Sequence, residues 1–344
     1  MPLPLILLAF GAAAAGAAGI KKTYQAHLKN SEAKELINEA HNIFNQAQAE
    51  LTKAREETQA VLERLGKLKL DIWERQLGRF VSIFSQLRNV DLTGEAVTGE
   101  QAPKMISPNE LAQIRDMSLK ASEITKGGAL AGGAGALAWV ASYGGALTLA
   151  SASTGTAISA LSGAAATNAT LAWFGGGSLA AGGMGMAGGM VVLGGICLAP
   201  ALFVGGMLYG AKARTNYANA QSTLSQARKD AEEMNCARTA LHAIKKVAHE
   251  FQYIIRELDN RMTSALDDLE WGTGFGTDFS QYKGPQKELV HLTVSFAQTM
   301  KVLLETPMLK QDGALDQDHK RALQQGHEFL KYLNEGKSEE HDDE

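Results

Sequence analysis

Apolar residues recur at alternating intervals of three and four positions from residue 37 onward. The series runs for about five heptads with charges between its members, which are Ile37, Ala40, Phe44, Ala47, Leu51, Ala54, Thr58, Val61, Leu65, Leu68 and Ile72. A spacing of 3.5 residues keeps one stripe of a helix facing a partner helix, as in a coiled coil. A further apolar run starts at Trp73, so the pattern predicts a long helix that ends before Gly94.

A second seam of the same kind follows residue 216. Its members are Tyr217, Ala220, Leu224, Ala227, Ala231, Met234, Leu241, Ala248, Phe251, Ile255, Leu258, Met262, Ala265 and Leu269. Arg238 and Lys245 interrupt this seam, either to set its register or because they lie at a solvated edge. The two seams have similar lengths, so we expect the two helices to pack as an antiparallel coiled-coil stalk.

The remaining charged segments also have helical patterns. Ser107 followed by Pro108 and Glu110 is a typical helix start, because serine caps, proline fits the first turn and glutamate closes a capping box. Two shorter helices are expected at about 286–306 and 317–334. Outside the central block no segment alternates with the period of a strand, so the fold class is predicted to be all-α.

The central block, 127–211, contains 85 consecutive residues without Asp, Glu, Lys or Arg. A charged side chain costs about 2.5–3.5 kcal/mol at the centre of a bilayer, whereas a water-facing surface has no reason to avoid charge. A membrane is therefore the expected environment of the block. Lys126, Lys212 and Arg214 flank it, so both ends are expected on one side, with an even number of passes drawn at about 128–150 and 178–210.

Glycine dominates the composition of this block. It holds 22 of the 36 glycines, which favours helices that pack closely on each other. Pairs at the GxxxG spacing are Gly128 with Gly132, Gly185 with Gly189, and Gly206 with Gly210. Trp139 and Trp173 are candidate anchors at the membrane interface, or core residues if the block lies in a bundle.

Insertion of such a block is expected to be marginal. Each Leu, Ile, Val or Phe contributes only about −0.3 to −0.6 kcal/mol, and each glycine costs about 1 kcal/mol in helix propensity. Three alternatives remain open: insertion on a signal or on oligomerisation, a constitutive hairpin anchor, and a glycine-rich core that never leaves water.

The first 20 residues are also uncharged and are followed by Lys21 and Lys22. A secretory signal carries its basic residues before the apolar run, so an uncleaved N-terminal membrane segment is favoured over a removed signal. The positive-inside rule then puts the two lysines, and the helical stalk, on the cytoplasmic side of a membrane, which we expect to be the bacterial inner membrane.

Composition excludes several classes of function. The 33 basic and 37 acidic residues nearly cancel, which argues against nucleic acid as a partner. Phosphate-loop, EF-hand and nucleophile–base patterns are missing from the sequence, so we expect no catalytic residues, no metal, no cofactor and no enzyme activity. Two cysteines, Cys197 and Cys236, fit a reducing compartment.

The layout of two long seams flanking an apolar hairpin, over about residues 30–270, resembles the α-helical pore-forming toxins of the cytolysin A and haemolysin BL type. The stretch 166–178 is similar to uncharacterised bacterial glycine-rich membrane proteins. The toxin resemblance implies a protein that oligomerises and permeabilises a bacterial membrane, with the bilayer and further copies of itself as partners. A coiled-coil membrane scaffold, or a subunit of a larger membrane complex that binds a protein through the stalk, is the alternative.

The expected domain organisation has six parts. They are an N-terminal membrane segment at 1–20, first stalk helices at 21–126, the uncharged hairpin at 127–211, a return stalk helix at 212–271, C-terminal helices at 272–337, and an acidic tail at 338–344.

Overall fold

The structure is a computed structural model that describes residues 16–90, 106–126, 137, 140–142, 217–274, 276–309 and 315–339. These residues form an all-α fold, as predicted, and contain no strand. The helices are α1 Gly16–Asp71, a π-helical segment Ile72–Leu77, α2 Gly78–Phe84, α3 Pro108–Lys126, α4 Tyr217–Thr273, α5 Gly284–Glu305 and α6 Asp318–Glu339.

Local sequence signals account for several helix ends. The hydroxyl of Ser107 accepts a hydrogen bond of 3.1 Å from the backbone N–H of Glu110, so Ser107 caps α3, as the sequence predicts. α4 ends at Thr273, beside the glycines of 272–276. The two C-terminal helices occupy the expected stretches, with Pro285 in the first turn of α5.

The π-helical segment between α1 and α2 takes up a shift in the apolar pattern. The seam of α1 reaches Ile72, and the apolar run that continues it starts again at the very next residue, Trp73; both side chains are buried. A π turn accommodates one residue more than an α turn. It therefore brings Trp73 and Leu77 to the same side of the helix as the α1 seam and carries the core on into α2.

The chain divides into two compact units. The first comprises residues 1–51 and 199–235, and the second 52–198 and 236–344. In the first unit, α1 contributes the buried Phe44 and Leu51 and α4 contributes the buried Leu224, while Ile37 is only half-buried. Arg228 of α4 pairs with Glu39 of α1 at 2.8 Å. Most of both apolar seams is thus buried in this unit, although Tyr217 at the start of α4 is exposed.

In the second unit, α1 and α4 run parallel, and the predicted antiparallel pairing is wrong there. Thr58 contacts the carbonyl of Leu241, and Gln252 contacts the carbonyl of Val61. Where α1 continues into the π segment and α2, Arg75 contacts Asp259 and Arg79 contacts Glu270. These partners are 183–191 positions apart in every case, so residue numbers rise together along both helices. An apolar stripe defines which faces meet but carries no direction, which is why the seams alone did not reveal the orientation.

The remaining described helices of the second unit differ in direction, and α3 runs opposite to the helices before it. Ser122 of α3 bonds Glu74, and Ser118 lies beside Gly78, so α3 is antiparallel to the π segment and α2. α5 runs back in the same sense as α3, and α6 runs parallel to α4, where Glu250 faces His327 and Arg261 faces Asn334. The helices that are described in the second unit therefore alternate in direction: α1 to α2 up, α3 down, α4 up, α5 down and α6 up.

The α4 seam is more regular than its sequence suggested. Ala237 and Ile244 are buried and complete the three-four spacing, so Arg238 and Lys245 lie next to the seam and do not interrupt it. Lys245 pairs with Glu57 at 2.8 Å. Of the other predicted seam residues in the second unit, Val61, Leu65, Leu241, Phe251 and Leu258 are buried, whereas Leu68 is only half-buried.

The parallel orientation predicts which pair of cysteines can be cross-linked. With both native cysteines replaced by serine, Gln76→Cys and Thr263→Cys should be joined by a short bis-maleimide reagent, because the native Gln76 and Thr263 side chains meet in a hydrogen bond between the two helices. Gel mobility under denaturing conditions measures the cross-link.

The control pairs Gln76→Cys with the native Cys236, in a chain that lacks Cys197. Residue 236 is 27 residues before residue 263, or about 40 Å along a helix, so no intramolecular cross-link should form. A cross-link to Cys236 but not to residue 263 would restore the antiparallel arrangement.

Candidate functional site: where the uncharged block meets the bundle

The last charged residue before the uncharged block is tied to the π segment. Glu74 accepts a hydrogen bond of 3.0 Å from the hydroxyl of Ser122 and lies 3.8 Å from the ammonium group of Lys126. Lys126 is 77 % exposed, so this pair contributes at most about 1 kcal/mol to stability. Together with the Ser122 hydrogen bond, the pair holds the end of α3 beside the π segment, immediately before the uncharged block.

A groove of about 470 Å³ lies beside this pair, between the π segment and α3. Its lining combines the apolar Val81 and the exposed Leu119 with Arg115 and Lys126. Lys126 already pairs with Glu74, which also lines the groove, and Arg115 lies 3.7 Å from Asp116. Each charged group that lines the groove thus already has an oppositely charged partner.

Four described residues near the start of the uncharged block pack against the bundle. Residues 137 and 140–142 are helical, and Val140, Ala141 and Ser142 are at most 4 % exposed. Val140 and Ala141 belong to the same apolar core as Trp73 and Phe251. Part of the stretch drawn at 128–150 as a membrane pass is therefore packed among charged, water-facing helices.

A glycine of α1 permits this close packing. A Cβ atom at Gly66 would overlap the backbone carbonyl of Leu137, which is a group that cannot rotate aside. Glycine in a helix costs about 1 kcal/mol relative to alanine. Its presence here lets the backbone of the block approach the backbone of α1 directly.

A backbone hydrogen-bond pair completes the contact. The carbonyl of Ser142 accepts from the N–H of Met308 at 2.7 Å and from that of Leu309 at 3.2 Å. The carbonyl of Met308 in turn accepts from the N–H of Asp316 at 2.8 Å, which ties the segment after α5 to the start of α6. We call the contacts of Gly66, Met308 and Leu309 with Leu137 and residues 140–142 the docking region.

A buried lysine supports the segment that precedes Met308. Lys69 is fully buried, and its ammonium nitrogen lies 3.2 Å from the carbonyl oxygen of Leu304, 3.5 Å from that of Thr306 and 5.2 Å from the centre of the Phe251 ring. Burial lowers the pKa of Lys69 to about 7. The carbonyls at the end of α5 give the amine hydrogen-bond acceptors with partial negative charge, but no full negative charge to balance an ammonium group.

Most of the predicted membrane residues lie outside the part of the chain that the structure describes. These are Gly128, Gly132, Gly185, Gly189, Gly206, Gly210, Trp139, Trp173, Lys212 and Arg214. The predicted N-terminal membrane segment also falls outside it, except that α1 begins at Gly16. Among the described residues, none of the helices combines the length and the apolar character that crossing a bilayer needs, and no cluster of His, Cys, Asp and Glu is arranged to bind a metal ion.

Two residues of this region were missed in the sequence, although both leave a signal there. Lys69 lies four positions after Leu65 and three before Ile72, so it has the spacing of a seam residue. Because lysine is charged, the apolar Leu68 was assigned to the seam in its place. Gly66 is the single glycine in α1 between residues 20 and 71. An isolated glycine within a helix often marks a close approach of another backbone.

Adding one carbon at residue 66 should loosen the docking region. Gly66→Ala is expected to lower the free energy of unfolding by about 1–3 kcal/mol, the usual cost of overpacking, despite the better helix propensity of alanine. Amide hydrogen exchange at residues 140–142 should accelerate. Chemical denaturation and exchange mass spectrometry measure the two effects.

Gly272→Ala is the matched control, since a Cβ there meets nothing within 4 Å. It should leave exchange at 140–142 unchanged and shift stability by no more than about 1 kcal/mol. Equal effects of the two variants would mean that the backbone contact at Gly66 does not hold the block.

Comparison of the chain with protein-family models, with curated proteins and with solved structures finds no match. The likeness in layout to the α-helical toxins stays a prediction.

Proposed function

We propose that this chain is a membrane-active helical protein whose bundle shelters the start of an uncharged block and releases it to a bilayer. Once in the bilayer, the block oligomerises through its glycine faces and permeabilises the membrane. The burial of residues 140–142 in the bundle carries the proposal, because it places part of a charge-free segment in a core from which it can be withdrawn.

The free energy of the contacts between residues 140–142 and the bundle is small enough to allow a triggered release of the block. Burying a valine side chain contributes about 1.5–3 kcal/mol, and Ala141 and Ser142 are too small to add much more. A typical hydrogen bond contributes a further 0.5–1.5 kcal/mol or so. Contacts of this size are comparable with the insertion energy of a few apolar residues, about 0.3–0.6 kcal/mol each.

The composition of the block supports association after release. Small residues let helix backbones approach closely in lipid, where van der Waals packing replaces the hydrophobic effect as the driving force. The block is rich in glycine at the GxxxG spacing, so its segments suit contacts with further copies of the chain. Lys21, Lys22, Lys126, Lys212 and Arg214 flank the uncharged segments, so by the positive-inside rule the proposed location is a bacterial inner membrane with the bundle on its cytoplasmic side.

A membrane scaffold is the second candidate, and exposed aromatic side chains of the bundle favour it. Trp271 is 73 % exposed and Tyr253 58 % exposed, both on α4. Aromatic residues of this kind are enriched at protein–protein contacts. In this alternative the block only anchors the chain, and the bundle binds a protein partner.

Dye release from liposomes separates the candidates. We expect the protein to release an encapsulated dye, and Gly66→Ala to raise the initial rate several-fold because its block is held less firmly. Gly272→Ala should release dye at the rate of the unchanged protein.

Binding to the same liposomes is measured by flotation. Tight binding without leakage for all three proteins would favour the scaffold. Absence of binding by all three would contradict the membrane proposal altogether.

A further inference from the structure

Lys69 lies between the core and the segment that holds the uncharged block. Its nitrogen contacts the carbonyls of Leu304 and Thr306, and Met308 and Leu309, two and three residues after Thr306, donate to the carbonyl of Ser142. The amine thus fixes the end of α5 against α1, and the end of α5 fixes the block. A change in the protonation of Lys69 therefore acts on the backbone at 304–306, which leads directly to the docking region at 308–309.

The partners of Lys69 are neutral groups, namely two carbonyls and one ring face. A neutral amine has two N–H donors, and two carbonyls accept them. A third N–H, present only on the ammonium form, faces the ring of Phe251. A buried charge without a carboxylate is costly, and a ring face returns only about 2 kcal/mol when desolvated.

Among the residues that the structure describes, no charged group offsets this cost, since burial is the single cause of the lowered pKa of Lys69. Charged side chains on the surrounding helices pair among themselves. Asp71 at the end of α1 pairs with Arg75 of the π segment, and Glu305 pairs with Lys301 on α5. Glu250 of α4 pairs with His327 of α6. An ammonium group at residue 69 therefore gains more by reaching water than by staying in the core.

We propose that Lys69 is a proton-operated latch on the docking region: proton uptake by its buried amine weakens the hold of 306–309 on residue 142 and frees the start of the uncharged block. This regulation rests on the proposed function above. It is a property of the bundle in water and can be observed without lipid.

The direction of the response follows from linkage. The pKa of Lys69 is about 7 in the docked state and has its ordinary value near 10.5 once the amine reaches water. Between these values the opened state binds one more proton, so the docked state gains as pH rises. The population of the opened state should increase up to about tenfold per pH unit as pH falls from 10.5 to 7, and then stay level.

Thiol labelling tests the latch directly. In a chain carrying Cys197→Ser, Val140→Cys places a thiol at a position that is 4 % exposed, while the exposed native Cys236 reports the intrinsic reactivity at each pH. The ratio of labelling at residue 140 to labelling at residue 236 should rise roughly tenfold per unit as pH falls from 9 to 8 and again to 7.

Two further substitutions isolate the amine. With Lys69→Met or Lys69→Gln the ratio should lose this dependence on pH, because neither side chain takes up a proton. Histidines change charge between about pH 5 and 8, so any response of His327 persists in both variants and is subtracted. A flat ratio in the chain with Lys69, or equal slopes with and without the amine, would overturn the latch.

A direct titration protects the test against misfolding of the variants. In the unchanged protein labelled with 13C at lysine Cε, one lysine resonance should titrate near pH 7 and vanish from that position in Lys69→Met. If all lysines titrate near 10.5, the latch is wrong whatever the variants do. A pH-dependent ratio without dye release would instead leave the latch standing and remove the proposed pore.

Discussion

The contact between the backbone of α1 and the backbone of the uncharged block is the constraint on which the rest of the second unit depends. It exists only because residue 66 has no side chain. Once the block lies there, its carbonyl at Ser142 needs donors, and the N–H groups of Met308 and Leu309 supply them. The course of the chain after α5 is therefore determined by a segment more than 160 residues earlier.

Polar groups determine how α1 and α4 pair in the second unit. Alanine-rich seams can pack in several registers and in either direction. Gln252 is buried, and its amide donates to the carbonyl of Val61 on the opposite helix, so a slip of either helix would leave this donor buried without a partner. Thr58 also reaches across, to Leu241, but it keeps the carbonyl of Ala54 in its own helix as an acceptor. An unsatisfied buried donor costs about 1–3 kcal/mol, so Gln252 excludes alternatives that the apolar stripes allow.

The sequence could predict the faces of the helices but not their directions. Three-four spacing identified the buried side chains of both seams, and Ser107 with Pro108 located the start of α3, because both signals act within a few residues. The parallel orientation depends on pairs such as Arg79 with Glu270, which are separated by 191 positions, and no local pattern reports such a pair. The site was missed for the same reason. The roles of Lys69 and Gly66 depend on contacts with Leu304 and Leu137, respectively, which are distant in the sequence.

The kind of contact in the docking region matters more than its strength. Val140 is removed from water equally well in a protein core and in hydrocarbon, because lipid tails are as apolar as leucine. Its burial therefore opposes release into water but does not favour the core over the bilayer. The terms that differ between core and bilayer are the tight packing on Gly66, the donors of Met308 and Leu309, and the buried amine of Lys69 behind them. A hold that consists of backbone contacts and one titratable group can be withdrawn without exposing a large apolar surface, and this is the property that a conditional membrane protein requires.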